Sequence, residues 1–330
     1  MSLTRRRFIA ITASAGGLPL LPILPARAAP PALRIWSGTA LGCDATLQLH
    51  HPDAATADRL IAASLAEVRR LEGVMSLYRS DSALSRLNHD GALDDPPLDL
   101  VRVLSESRRY SDISGGAFDV SVQPLWELYA GHFSRPDANP DGPSAEAVAA
   151  AVARVGQEAI EIDPARLRFA KRGMGVTLNG VGQGYITDRV VELLRASGVQ
   201  RALVDMGKTR AIGDHPAGGP WRIGIEDPRA PGVVAETVAL PDDRAIATAG
   251  GYGTLFDQAG RFNHIFEPWS GRTSWRWLSA SVEAATATES NALSNAFAVM
   301  PEAAIASIAK TRGLIARLVR PDGTRLTLGA

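Results

Sequence analysis

A glycine-rich stretch in the middle of the chain places the strongest constraint on what this sequence can fold into. Residues 178–188 contain three glycines at alternate positions, Gly180, Gly182 and Gly184, and lead into a helical pattern of apolar residues. Glycines let backbone N–H groups approach a ligand without a Cβ in the way. A helix N-terminus directly behind them adds oriented donors and a positive dipole end, which suits a phosphate. The alternative is a tight strand-to-helix turn after the apolar run 175–178, with no ligand.

The spacing of apolar residues predicts an α+β fold, with mixed, mainly antiparallel sheets packed with helices. Alternation through residues 43–49 predicts a strand, and apolar stripes within 55–75 and 98–112 predict two amphipathic helices. Short apolar runs within 203–225 predict further strands. The runs on either side of residues 321–323 (Pro-Asp-Gly) predict a hairpin. Strands in meanders mixed with a few long helices are typical of α+β proteins rather than of alternating α/β chains.

The N-terminal segment predicts an export signal rather than part of the core. Arginines at residues 5–7 precede an apolar stretch that contains Gly and Pro, and residues 26–28 (Ala-Arg-Ala) match a cleavage site. This pattern is typical of the twin-arginine route, with cleavage after the last of these residues and a periplasmic location. The predicted units are a cleaved signal, 1–28, and a functional domain, 29–330. A boundary inside that domain would lie near the loop 134–143.

Composition limits the partners and the chemistry of the chain. The formal net charge is zero, and removal of the four arginines in the signal leaves 31 basic residues, down from 35, against 35 acidic ones. This balance argues against a general polyanion binder, including a nucleic-acid binder. Cys43 is the only cysteine, so an intrachain disulfide and a cysteine-based metal site are both excluded. No segment is long and apolar enough to predict a transmembrane span.

Five separated segments contain residue types suited to nucleotide and metal binding. They are residues 38–43, 75–88, 115–125, the glycine-rich stretch through Asp188, and 264–271 followed by 291–296. In this order and spacing they resemble the FAD:protein FMN transferase family, the ApbE-like proteins, from about Gly38 to Met300. The specific parts are Gly-Ala-Phe-Asp ending at residue 119, Gly-x-Gly-Tyr-x-x-Asp ending at 188 and His-Ile-x-x-Pro-x-x-Gly ending at 271.

The resemblance implies a phosphoryl transfer. FAD, the substrate, is cleaved at its pyrophosphate, FMN is attached through a phosphoester to a threonine of a target protein, and AMP leaves. Such a reaction requires that the phosphates be positioned, that charge be neutralised by Mg²⁺ and that the threonine hydroxyl be deprotonated. The implied partner is an exported acceptor protein of respiration or electron transfer, which carries the flavinylated threonine.

The resemblance also implies which residues form the site. Leu41 and Tyr78 match positions that line the flavin or adenine pocket, and His264 matches a histidine that orients phosphate or assists proton transfer. The full set of implied FAD contacts is Leu41, Tyr78, Ala117, Phe118, Asp119, Thr177, Gly182, Gln183, His264 and Ile265. The implied metal ligands are the backbone carbonyl of Gly180 and the side chains of Asn291 and Asn295.

Several of these residues have a simpler structural interpretation when each is considered alone. Tyr78 is as well explained by an ordinary core aromatic, and Asp119 by a turn-forming residue. A lone histidine is usually structural, so the role of His264 depends on the motif around it. Asp188 is better explained by a carboxylate in the first turn of a helix, stabilised by the helix dipole, than by a catalytic group.

The sequence departs from the family pattern at the positions closest to the chemistry. Asn291 and Asn295 stand where the family usually has Asp and Thr, four residues apart on one helical face. An amide oxygen lacks the charge that secures a hard dication, and Glu267 or Glu289 are the candidate substitutes. Gln183 stands where the family often has Lys. In addition, Gly-Lys-Thr at residues 207–209 replaces Gly-Gly-Asp, which adds a lysine, Lys208.

Two other functions compete with the transferase. A non-catalytic, exported FAD-binding accessory protein with a degenerate metal site fits the same motifs, and only flavin transfer with AMP release distinguishes the two. A dehydrogenase would use the glycine-rich stretch as a dinucleotide-binding turn, with Asp205 as the ribose-binding acid. Against the dehydrogenase, the third glycine is one position early, and the alternating strands and helices of a doubly wound sheet are missing.

Overall fold

The computed structural model describes residues 32–40 and 42–329, so Leu41 and the predicted export signal, 1–28, lie outside the described residues. The helices of this part are α1 (Ala54–Met75), α2 (Ala83–Asp90), α3 (Leu98–Ile113), α4 (Gln123–Phe133), α5 (Ala145–Val152), α6 (Gly182–Ala196), α7 (Ala287–Phe297) and α8 (Glu302–Arg312). None of these helices has both the length and the apolar character needed to cross a bilayer.

The strands divide among one large and two small sheets. They are β1 (Ala32–Ala40), β2 (Cys43–His51), β3 (Ala92–Asp94), β4 (Ile160–Ile162), β5 (Arg166–Phe169), β6 (Ala202–Asp205), β7 (Thr209–Ile212), β8 (Trp221–Asp227), β9 (Ala230–Leu240), β10 (Ala245–Ala249), β11 (Ser279–Ala284), β12 (Ile315–Val319) and β13 (Arg325–Leu328). The large sheet has the order β1-β2-β6-β7-β10-β11-β12-β13, and all its pairs are antiparallel. The predicted α+β class with mainly antiparallel sheets is therefore confirmed.

The core lies between the large sheet and the helices that cover it. All residues of β11 are buried, and α7 packs on β10 and β11 while it also contacts α6. On the other side of α6, the apolar stripe of α1, which includes Val68 and Leu71, is buried in the same core. Burial of each such side chain stabilises the fold by about 1.5–3 kcal/mol. The core therefore fixes α6 and α7 against each other.

Local sequence signals explain where several elements begin and end. Helix α1 starts behind Asp53, whose carboxylate accepts a hydrogen bond from the Thr56 N–H at 2.8 Å. The hairpin β12–β13 turns at Gly323, whose φ of +90° favours glycine. The predicted strand within 43–49, both predicted amphipathic helices and the predicted C-terminal hairpin are present as β2, α1, α3 and β12–β13.

The residues in front of the glycine-rich stretch do not form the strand expected there. Residues 175–178 follow β5 without strand pairing. The side chain of Asn88 instead accepts from the Val176 N–H and donates to the Val176 carbonyl, both at 2.8 Å. The Thr177 N–H donates to the Val120 carbonyl at 2.8 Å. These bonds satisfy the backbone of the segment, so it needs no neighbouring strand.

The domain boundary considered near residues 134–143 is also absent, because the described residues form one compact unit. Aromatic side chains of α4, before the loop, pack against a segment far beyond it. The ring centroid of Tyr129 lies 5.3 Å from that of Phe266, and that of Phe133 lies 5.1 Å from that of Phe262. Such a cluster buries apolar area across the loop and joins its two sides.

Candidate functional site

A cavity of about 230 Å³, partly open to solvent, brings several of the separated segments together. The residues expected in the site that line it are Tyr78, Ala117, Phe118, Asp119, Thr177, Gly180, His264, Ile265 and Asn295. The remaining expected residues in the described part of the chain, Gly182, Gln183 and Asn291, do not line it, and Leu41 lies outside the described residues.

The Gly-Ala-Phe-Asp segment forms one wall because two glycines turn the chain at the end of α3. Gly115 and Gly116 have φ values of +61° and +83°, in the left-handed region that favours glycine. The hydroxyl of Ser114 then accepts from the Phe118 N–H at 3.0 Å. Phe118 is thereby held in place, and its ring lies against Gly180 on the opposite segment.

Asp119 is fully engaged in holding this wall. One carboxylate oxygen accepts from the Ser121 N–H at 2.7 Å and from the Ser121 hydroxyl at 2.6 Å. The other accepts from the Gln157 N–H at 3.0 Å. Burial raises the pKa of Asp119, and these hydrogen bonds oppose the rise. Asp119 therefore has the turn-forming role considered for it. Its contact with FAD stays a prediction.

Tyr78 lies at the mouth of the cavity and not in the core. Its side chain is 85% exposed, so the alternative of an ordinary core aromatic is wrong. An exposed ring beside a cavity presents a flat face on which a planar ligand can stack.

His264 lines the cavity and has one ring nitrogen in contact with a backbone carbonyl. Its Nδ1 lies 3.3 Å from the Thr254 carbonyl oxygen. Because a carbonyl oxygen only accepts, Nδ1 carries the proton and Nε2 is left as an acceptor. Burial lowers the pKa of His264 most, the hydrogen bond to Thr254 opposes this, and the charge of Lys208 lowers it further. The imidazole is thus neutral at neutral pH and suited to accept a proton.

The glycine-rich stretch serves helix packing more than phosphate binding. The Val181 and Gly182 N–H groups donate to the Leu178 carbonyl at 3.0 and 2.6 Å. The Gly184 N–H donates to Asn291 Oδ1 at 3.1 Å. A Cβ at Gly184 would lie 2.3 Å from the Ala287 carbonyl oxygen. The sequence predicted free N–H groups here that could bind a phosphate. That prediction is wrong for these three N–H groups, because each already donates to an acceptor within the protein.

Asn295 contacts the carbonyl that was expected to bind the metal, but it does so through nitrogen. Its Nδ2 lies 3.4 Å from the Gly180 carbonyl oxygen and 2.9 Å from the Asn291 carbonyl oxygen. The side-chain oxygen of Asn291 faces away from this group, toward the Gly184 N–H. Gly180 and Asn295 are thus brought together as predicted, with a donor where a metal ligand was expected.

The carboxylates considered as substitutes are committed elsewhere. Glu289 forms an ion pair with Arg312 at 2.5 Å, and Glu267 accepts from the Ser270 hydroxyl at 2.8 Å. Within residues 32–40 and 42–329 no group of three or more His, Cys, Asp or Glu is placed to hold a metal. A hard dication needs several oxygen ligands, usually with negative charge. The residues beside Gly180 therefore do not fit the Mg²⁺ that the sequence predicted.

The family-divergent residues Gln183 and Lys208 both lie near the turn between β6 and β7, outside the lining of the first cavity. Gln183 donates from Nε2 to the Cys43 sulfur at 2.9 Å and packs against Gly207. Lys208 follows in the turn between β6 and β7, where it lines a second, shallower cavity with Asp205. Burial lowers the pKa of Lys208. Neither residue lines the first cavity, although the charge of Lys208 is felt there by His264.

Asp188 caps a helix other than its own. It lies beyond the first turn of α6 and accepts from the Ala287 and Thr288 N–H groups at 2.9 and 2.8 Å. These donors belong to the N-terminus of α7. Arg210 pairs with the same carboxylate at 2.6 Å. Asp188 is therefore stabilised by a helix dipole, as predicted, but the dipole is that of α7. The prediction that Asp188 lies in the first turn of its own helix is wrong.

Asp205 excludes the dehydrogenase alternative. Its two oxygens accept from the Gly207 N–H at 2.9 Å and the Thr209 hydroxyl at 2.8 Å, which closes the turn between β6 and β7. Strand β6 pairs antiparallel with both of its neighbours. A dinucleotide-binding turn requires a parallel βαβ unit, so the sheet topology makes this interpretation wrong.

The cavity also contains residues that the sequence did not single out. They are Val120, Val122, Trp126, Asn179, Thr254, Phe266 and Pro268. Phe266 and Pro268 lie inside the His-Ile-x-x-Pro motif, so that motif was a usable signal for them. The sequence contains no such signal for Trp126, which is one more apolar position of α4. It contains none for Thr254 either, because Thr254 precedes His264 by ten residues of irregular chain.

Comparison with known proteins gives one consistent result. The model of the ApbE family matches residues 41–318. The FAD:protein FMN transferase of Klebsiella pneumoniae (strain 342) is 28% identical over 281 residues, which cover 82% of this chain and 79% of that protein. The protein of the same name from Haemophilus influenzae is 31% identical over 266 residues, which cover 77% and 76% respectively.

Solved structures show the same similarity in three dimensions. The flavinyl transferase ApbE of Pseudomonas stutzeri, in its apo form, superposes with a TM-score of 0.77 at 29% identity, covering 91% of this chain and 95% of that one. The flavin transferase ApbE of Vibrio cholerae also has a TM-score of 0.77, at 27% identity, with 91% and 98% coverage. The similarity therefore spans nearly all of the described fold.

Proposed function

This chain belongs to the ApbE family, and we propose that it is an FAD:protein FMN transferase, which moves FMN from FAD onto a threonine of a second protein and releases AMP. The observation that carries this proposal is the shared cavity. Four of the five segments that match the family contribute described residues to its lining, and His264 is neutral with a free Nε2.

The reaction exchanges the phosphoanhydride bond of the pyrophosphate for a phosphoester bond to threonine. The threonine Oγ attacks the phosphorus on the FMN side of the pyrophosphate, and the bond from that phosphorus to the bridging oxygen breaks. AMP leaves with the bridging oxygen. Nε2 of His264 accepts the hydroxyl proton as the new bond forms, which makes His264 the general base. Its lowered pKa keeps this nitrogen unprotonated at neutral pH.

The remaining cavity residues position the substrate. Tyr78 offers a ring at the mouth for stacking, and Thr177 and Asn179 add polar groups to the cavity lining. Mg²⁺, which the resemblance implies, finds no suitable ligands in the described residues beside Gly180. Substrate positioning and proton transfer therefore belong to the protein's own side chains.

We further propose that the protein works in the periplasm after export by the twin-arginine route. The arginines at residues 5–7 and the Ala-Arg-Ala at 26–28 support this location. The acceptor is then an exported protein of respiration or electron transfer with an accessible threonine.

A transfer assay tests the proposed function. The purified protein is incubated with FAD and a candidate exported acceptor, and covalent flavin is read as fluorescence on a denaturing gel while released AMP is measured. The proposal expects a fluorescent acceptor band and AMP in equal amounts, and neither product when the acceptor threonine is replaced by Val. FAD binding with no product on any genuine acceptor would instead identify a non-catalytic FAD-binding accessory protein.

A further inference from the structure

The side-chain amide of Asn295 occupies a position between two backbone carbonyl oxygens. Nδ2 is 3.4 Å from the oxygen of Gly180, at the cavity wall, and 2.9 Å from the oxygen of Asn291, one helical turn earlier. Both neighbours are acceptors only, so the group that faces them must donate. A cation is the other species that two converging carbonyl oxygens attract.

The orientation of this amide follows from its surroundings. If the amide were flipped, its oxygen would face the carbonyl oxygens of Gly180 and Asn291 with no proton between them. Such a contact between acceptors is repulsive, so the hydrogen-bond network assigns nitrogen to this side. The Gly180 carbonyl therefore already has a donor partner on the protein.

Asn291 offers no replacement ligand. Its side chain is buried, with 1% of the residue exposed, and its Oδ1 accepts from the Gly184 N–H at 3.1 Å. That bond joins the start of α6 to α7, at the point where Gly184 allows the two helices to touch. Turning the oxygen toward a cation would leave a buried N–H group without an acceptor, which costs about 1–3 kcal/mol.

We propose that the Asn295 amide takes the place of a divalent cation beside the Gly180 carbonyl oxygen, and that this chain binds FAD without a divalent cation. This inference rests on the proposed function for the identity of the ligand. On this inference, Asn291 and Asn295 do not weaken a metal site. They replace it with a neutral hydrogen bond, where the family pattern implies a bound cation.

The first experiment measures cation binding directly. Mn²⁺ is titrated into the purified protein, with and without FAD, and free Mn²⁺ is followed by electron paramagnetic resonance. FAD affinity is measured in parallel by calorimetry, in EDTA and in Mg²⁺. The proposal expects no stoichiometric Mn²⁺ site and an FAD affinity that differs by less than about twofold between the two conditions, because a cation that does not bind adds no linkage.

A double substitution supplies the positive control. Asn291→Asp with Asn295→Thr removes the amide donor and restores a carboxylate and a hydroxyl on one helical face. This variant is expected to bind one Mn²⁺ per chain and to gain about tenfold or more in FAD affinity on addition of Mg²⁺, because ligand charge dominates the affinity for a hard dication. Its melting temperature should also rise in Mg²⁺, since the cation neutralises a buried carboxylate.

Asn139→Asp is the matched control, because it adds the same charge on the exposed loop before α5. It should behave as the unmodified protein in both titrations. One Mn²⁺ bound per unmodified chain at micromolar concentration, or loss of FAD binding in EDTA with recovery in Mg²⁺, would overturn the inference. So would a folded double variant that gains no Mn²⁺ site. A protein that binds no FAD in either condition refutes the proposed function, while the Mn²⁺ titration still decides this inference.

Discussion

At the scale of single residues, the proposed proton transfer depends on one imidazole, that of His264. The pKa of His264 is held below its ordinary value, first by burial. The neutral base is therefore fully present above that ordinary value, and the rate of transfer is lost only as the pH falls through the lowered one. We expect the pH–rate profile to show this acid limb below about 6.5. His264→Gln should lower the rate about 10²–10⁴-fold with little change in FAD affinity. Equal loss of binding and rate would indicate a structural role instead.

A second prediction concerns the effect of Lys208 on the pKa of His264. Its charge lowers the pKa of His264, so Lys208→Met should raise that pKa toward the ordinary histidine value. Proton chemical shifts of the imidazole, followed through a pH titration by NMR, measure the change. Lys310→Met, in the last turn of α8, is the control and should leave the His264 titration where it was. An unchanged titration in Lys208→Met would show that the charge of Lys208 does not act on His264.

His264 and Asn295 show what could and could not be predicted from the sequence about single residues. The motif around His264 was enough to place its side chain at the cavity, because the chemistry and the local sequence coincide there. The partners of Asn295 were not predictable in the same way. Whether its amide presents oxygen or nitrogen to Gly180 depends on the Asn291 carbonyl behind it, and no spacing in the sequence encodes that orientation.

At the scale of elements, helices α6 and α7 approach each other closely at Gly184. A Cβ at Gly184 would lie 2.3 Å from the Ala287 carbonyl oxygen, whereas one at Gly182 would meet only the Leu178 Cβ at 3.5 Å. Gly184→Ala should therefore destabilise the protein by about 1–3 kcal/mol through overpacking. Gly182→Ala should change stability by less, or raise it slightly through helix propensity. Chemical denaturation measures both, and the reverse order would show that α7 can move aside.

Helices and strands that have local sequence signals were predicted where they occur. Contacts between elements that are far apart in the sequence were not predicted. The apolar stripe of α1 and the turn residues of β12–β13 are periodic or local features, and both elements appear where expected. The role of Asp188 depends on N–H groups 99 and 100 residues further along the chain. Only the packing of α6 against α7 brings them together, so sequence spacing alone placed this carboxylate on the wrong helix terminus.

At the scale of the whole molecule, the cavity gathers residues from segments that lie far apart in the chain. Its lining extends from Tyr78 at the mouth to His264 and Thr177 within. We therefore expect FAD to bind more tightly than FMN, because the adenylate half adds contacts that FMN cannot make. Titration calorimetry with each nucleotide measures the difference. Equal affinities would mean that the adenylate half lies in solvent and that the cavity binds the flavin half alone.

The cavity is lined by residues that span the chain from Tyr78 to Asn295. During synthesis its last wall leaves the ribosome only when most of the polypeptide has already been made. An N-terminal fragment that ends before His264 lacks the proposed general base and the segment around it, so FAD has no complete pocket to stabilise at that stage. The nucleotide therefore cannot act as a template for early folding. Its capture is a property of the finished protein, wherever in the cell that protein completes its fold.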